Sequence, residues 1–239
     1  MIRNVFDHLD SVTIGVRFRS NFSIEDQFGN ILDEILYSKD SFFSPTMFPA
    51  VHSNVNEKIL YNPDTMNTIT INASNIIVDL KTLEDKGKYL SNFHEHFKKD
   101  IINGIMKKYK ITQIIRIGYI NRFLFEREKL AQIFLDKTIG KTLEGIRDIN
   151  LRFSRKFPIE ESYVHEEIND YYTAIYNIIK KGNEDNLLIF LDFQRNYEPF
   201  LEASSQIEFD RFIEKMVSYN SKSFLEWINN NYGELNEVA

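Results

Sequence analysis

The chain has 239 residues, 43% hydrophobic and 14% aromatic, enough apolar surface for a core and too much for bulk disorder. It has no cysteine, which excludes disulfides, thiolate metal sites and cysteine catalysis, and its nine glycines form no phosphate-binding loop. Net charge is −6, but residues 184–239 carry eleven acidic against four basic residues; 1–183 therefore sum to +1, which excludes the basic footprint of a dedicated DNA-binding domain.

No apolar run reaches the length of a signal peptide or a membrane span, so a cytoplasmic protein with no membrane contact is expected. Residues 11–19 alternate, with Val12, Ile14, Val16 and Phe18 on one side and Thr13, Gly15, Arg17 and Arg19 on the other. Period two with β-branched residues predicts a strand. Ser23 then opens a helical pattern through Ile24, Phe28, Ile31, Leu32 and Ile35. Residues 41–49, with two prolines, read as a loop, and 50–56 as a weak strand. Residues 58–61, 68–72 and 76–80 read as strands, the last two joined as a hairpin. From Thr82 a long helix runs to about Tyr109 on Tyr89, Leu90, Phe93, Phe97, Ile101 and Ile105.

Residues 111–125 are a second alternating stretch, and the order of elements begins again. A short helix is expected at 127–139 and strands at 147–158, 164–181 and 187–196, with a turn at 182–185. The 164–181 stretch also fits a helix by spacing; its Tyr, Ile and Thr content and the following turn favour a strand. A second long helix follows from Ser205, with a break near Asn220.

Each half thus reads strand, short helix, three strands, long helix. Ile14-Gly15 answers Ile117-Gly118 at a spacing of 103 residues, and Asp79-Leu80 answers Asp192-Phe193. This predicts an α+β protein: a duplicated β-α-β-β-β-α unit forming one curved antiparallel sheet with two long helices on one face. Residues 1–110 would be the first half and 111–239 the second, in a single pseudo-symmetric unit. The element order resembles that of the TATA-box-binding-protein-like class, which by itself lends no function.

The stretch Ile115-Arg116-Ile117-Gly118-Tyr119-Ile120-Asn121-Arg122 resembles the R-x-G-(LR)-Y-I-N-R signature of a sporadically distributed family of uncharacterised bacterial proteins of about 250 residues. This chain lacks the two residues that the family carries between Gly118 and Tyr119. What the resemblance implies is a setting in mobile-element or anti-phage defence loci.

Arg17, Arg19, Arg116, Tyr119 and Arg122 are the candidate ligand- or partner-binding residues, because they fall on the two corresponding first strands. Arginine suits bidentate recognition of carboxylate or phosphate. Arg152, Arg155 and Lys156 would extend the patch; the ordinary alternative is exposed strand positions paired with acids. Asp79 and Asp192 are a candidate acidic pair for metal or acid–base chemistry, against the plainer role of polar residues at strand ends. His94 and His96 are two apart, whereas a helical metal pair needs four, and no H-E-x-x-H or G-x-S-x-G motif is present. No metal, cofactor or catalytic residue is therefore assigned. The strand tyrosines 119, 163, 171, 172, 176 and 197, with Phe123, would either stack bases or fill a core or an interface.

The expected function is a non-catalytic binding protein that uses an exposed sheet face to hold a protein partner or a small anionic ligand. The alternative is a nucleic-acid-binding or metal-dependent nucleic-acid-processing protein. A homo-oligomer is compatible with either.

Overall fold

The structure, a computed structural model, describes residues 2–37, 48–49, 56–81, 86–126, 137, 149–158, 171–180, 186–201 and 206–232. The expected helix at 127–139, weak strand at 50–56 and turn at 182–185 lie almost wholly outside these residues.

Nine strands are described: β1 (Leu9–Phe18), β2 (Phe48–Pro49), β3 (Glu57–Tyr61), β4 (Thr68–Asn72), β5 (Asn75–Leu80), β6 (Ile114–Phe125), β7 (Ile149–Pro158), β8 (Tyr171–Lys180) and β9 (Leu187–Leu201). They form one sheet in the order β2-β3-β4-β5-β1-β6-β9-β8-β7, every pairing antiparallel. The protein is α+β, as the patterning predicts. From the central pair the order runs β1-β5-β4-β3 on one side and β6-β9-β8-β7 on the other. At the centre Gly15 and Gly118 are directly opposed.

Two long helices cover one face. The first runs as α-helix over Lys86–His96 and continues as π-helix over Phe97–Met106. The second runs over Gln206–Tyr219, passes through a π-helical turn at Asn220–Phe224, and resumes over Leu225–Tyr232. That turn is where the sequence suggests a break. The alternating residues of the strands explain the layer. Val12, Ile14, Val16 and Phe18 of β1, and Ile117, Tyr119 and Phe123 of β6, are buried beneath the helices. Phe193 of β9 packs 5.6 Å from Phe212, and Phe97 stacks 5.5 Å from Phe209, so one aromatic core joins sheet and both helices. Each such ring stabilises the fold by about 1.5–3 kcal/mol when buried. The start of the chain is tied in by Asn229, which accepts from Ile2 N at 2.8 Å and donates to Ile2 O at 2.9 Å.

Several boundaries differ from the sequence reading. β6 begins at Ile114 rather than 111, because Lys110 and Gln113 adopt positive φ and turn the chain out of the preceding helix. Phe48 and Pro49, read as loop, pair with Tyr61 and Leu60. β9 runs past Pro199 to Leu201, because its pairing with β6 shifts between Asn196 and Leu201 and leaves the proline in the irregular part. Among the described residues no helix is long and apolar enough to cross a membrane.

Candidate site on the open sheet face

Pairing register arranges the other face, which carries no helix among the described residues, into rows. One row runs Asn75–Arg17–Arg116–Asn196, the next Ile77–Gly15–Gly118–Gln194, and the third Asp79–Thr13–Ile120–Asp192. The glycine row forms the floor of a depression of about 100 Å³, with Arg17 and Arg116 at one end and Thr13, Ile120 and Asp192 at the other. A Cβ added at Gly118 would lie 3.9 Å from Asp192 Oδ1. The carboxylate therefore lies over the glycine, in space that most side chains would fill.

Arg17 and Arg116 are exposed and directly opposite each other. Like charges opposed across strands repel. Arg116 Nη1 donates to Gln194 Oε1 at 3.2 Å, a neutral partner. Among the described residues neither guanidinium has a carboxylate within ion-pair distance. Burial pushes the Asp192 carboxyl above the usual carboxylate range, while the charges of Arg116 and Arg152 pull it back down.

The remaining candidates separate. Arg19 lies just past the end of β1, exposed, and donates weakly to Gln113 Oε1 at 3.4 Å. Arg122 is on the open face but is held by Asp10, with Nε 3.1 Å from Oδ2. Arg152 and Lys156 share that face on β7, while Arg155 alternates to the helix side.

Tyr119 does not belong to the site. It is 0% exposed, faces the helices and sits 2.8 Å from His94 Nε2. The parity of its position decides this: Arg116, Gly118, Ile120 and Arg122 share one face of β6, and Tyr119 points to the other. Phe123, Tyr172, Tyr176 and Tyr197 are buried as well, so they form no base-stacking platform on the open face. Tyr163 and the Tyr171 side chain lie outside the description.

Asp79 and Asp192 do not form a pair. They share a row but stand three strand spacings apart, about 14 Å at about 4.8 Å per strand. They are not register counterparts either. If Gly15 corresponds to Gly118, then Thr13 corresponds to Arg116, and the partner of Arg116 on β9 is Asn196, not Asp192. Both Asp79 oxygens are taken: Oδ1 accepts from Thr13 Oγ1, and Oδ2 from Thr68 Oγ1 at 3.2 Å. Among the described residues no group of three or more His, Asp or Glu is placed to hold a metal.

Thr13, Asn75 and Gln194 line or brace the depression and are absent from the sequence candidates. Thr13 was legible from the odd positions of β1; Asn75 and Gln194 required the register.

No family model and no curated protein matches the chain. One solved structure similar to it bears the description "Methanococcus jannaschii TBP". It has 9% identity, the match covers 90% of this chain and 97% of that one, and the TM-score is 0.28. At that score the likeness carries no argument about fold or function; the fold stands on the strand pairing.

Proposed function

We propose that the protein is a non-catalytic binding protein that takes an anionic group, from a protein partner or a small ligand, between Arg17 and Arg116 on the open sheet face. One observation carries this reading: two exposed arginines stand on directly opposed strand positions at one end of a two-glycine floor, with no carboxylate in ion-pair reach among the described residues. An anion between them would turn their repulsion into two charge-assisted contacts. The space, about 100 Å³, suits a carboxylate or phosphate group rather than a nucleobase. A duplication of residues 1–110 and 111–239 is part of the same reading, supported by the facing glycines and the strand order that repeats outward from them. A mobile-element or anti-phage defence setting rests on the signature around Gly118 alone.

The test is titration of the chain with inorganic phosphate, with citrate and with a short single-stranded oligonucleotide, each at low and high salt. Binding of phosphate or citrate that disappears in Arg17→Ala/Arg116→Ala is the expected result. Binding confined to the oligonucleotide, falling steeply with salt, would favour the nucleic-acid alternative. Undiminished binding by the variant would overturn the site.

A further inference from the structure

The two edges of the sheet are built differently. At one end β2 has two residues, one of them Pro49, which blunts that edge. At the other end β7 has ten residues and pairs only with β8, so along its outer side alternate residues leave backbone N–H and C=O groups without a strand partner among the described residues. A long edge of this kind is a template for an added strand.

Its side chains define what that strand must be. Arg152 and Lys156 stand on the open-face side and are exposed, with exposed Ser154 between them. On the helix side Phe153 is 40% exposed, with its inner surface stacked 4.7 Å from the Tyr176 ring. β7 contains no acidic residue. A second copy of β7 would bring Arg and Lys against Arg and Lys, which repel across strands. An extended peptide with acids on one side and apolar residues on the other fits both faces at once.

We propose that the outer edge of β7 is a docking site for an extended acidic peptide of a partner protein, which adds as a further strand with its acids beside Arg152 and Lys156 and an apolar side chain against Phe153. This edge is separate from the Arg17–Arg116 groove and stands or falls independently of it.

The probe is a fluorescein-labelled ten-residue peptide alternating glutamate and valine, followed by fluorescence anisotropy with the whole chain. Saturable binding is expected, weakened at least tenfold in R152E/K156E with an unchanged far-UV circular dichroism spectrum. A version N-methylated on alternate residues should lose binding, since it cannot complete the ladder. Equal binding of the N-methylated peptide, or equal binding by R152E/K156E, would overturn the proposal. So would light scattering showing a dimer whose formation excludes the peptide, because the edge would then pair with itself.

Discussion

His94 Nε2 lies 2.8 Å from Tyr119 Oη, which fixes the signature tyrosine to the helix layer, away from the arginines on either side of it in the sequence. Burial lowers the His94 pKa from 6.5 to about 4. In the unfolded chain the imidazole takes up a proton near pH 6.5, while in the fold it stays neutral down to about pH 4. The unfolded state therefore binds more protons in that window, and stability falls with pH. The contribution is complete above about pH 6.5 and lost as pH drops to about 4, at most about 3 kcal/mol. Urea unfolding at several pH values checks this. His94→Gln keeps a polar partner for Tyr119 and should show a shallower decline over that window; identical slopes would exclude His94 as the cause.

Asn121 on β6 and Asn220 at the π-helical turn are fully buried, and among the described residues each donates only to Met216 Sδ, at 3.6 and 3.2 Å. Their Oδ1 atoms have no hydrogen-bond partner among the described residues. An unsatisfied buried carbonyl costs about 1–3 kcal/mol, and an apolar group of similar shape removes that cost. Asn121→Leu and Asn220→Leu should each raise stability by about 1 kcal/mol in urea titrations. A loss of similar size would show that the amides hold the π-helical turn in place.

Gly118 separates the fold from the site. Its missing Cβ would meet nothing closer than Asp192 Oδ1 at 3.9 Å, so the sheet tolerates a side chain there. Gly118→Ala should leave stability within about 1 kcal/mol of the parent, since only the added Cβ enters the space below Asp192. It narrows the depression and should weaken anion binding by roughly tenfold, about 1.4 kcal/mol. Stability measured together with phosphate titration checks both halves; unchanged affinity would place the anion elsewhere.

Asp192 would oppose an anion held in the proposed groove. Burial raises its pKa, so protonation is favoured in the fold, and its stabilising contribution, present below the ordinary carboxylate range, is lost as pH rises through the raised value. Anion affinity should therefore strengthen as pH falls through that value. Asp192→Asn should bind more tightly at neutral pH and lose this dependence. Calorimetric titrations of both proteins at a series of pH values would show it, and parallel curves would contradict it.

Period-two patterning placed β1, β4 and β6 because each has one face buried and one open, whereas β8 was read as a strand from its Tyr, Ile and Thr content and the turn that follows it. It also held the information that excluded Tyr119, since 116, 118, 120 and 122 share a parity that 119 does not. Register was not legible. Asp79 and Asp192 look equivalent as residues before an apolar position, yet the segments joining β1 to β5 and β6 to β9 differ in length and shift them by four places against the facing glycines. Gln194 and Asn75 join the groove through that register alone. The basic character of β7 was visible in Arg152, Arg155 and Lys156; its place at the edge depends on strand order, which alternation does not encode.

The most direct measurement is an NMR titration of the arginine side-chain Nε–Hε signals with inorganic phosphate. The Arg17 and Arg116 signals should shift together along one binding curve, with Arg122, held by Asp10, far less affected. In Arg116→Ala the Arg17 response should collapse. Uniform small shifts across all arginines, or an Arg17 response unchanged by Arg116→Ala, would contradict an anion site between the two strands.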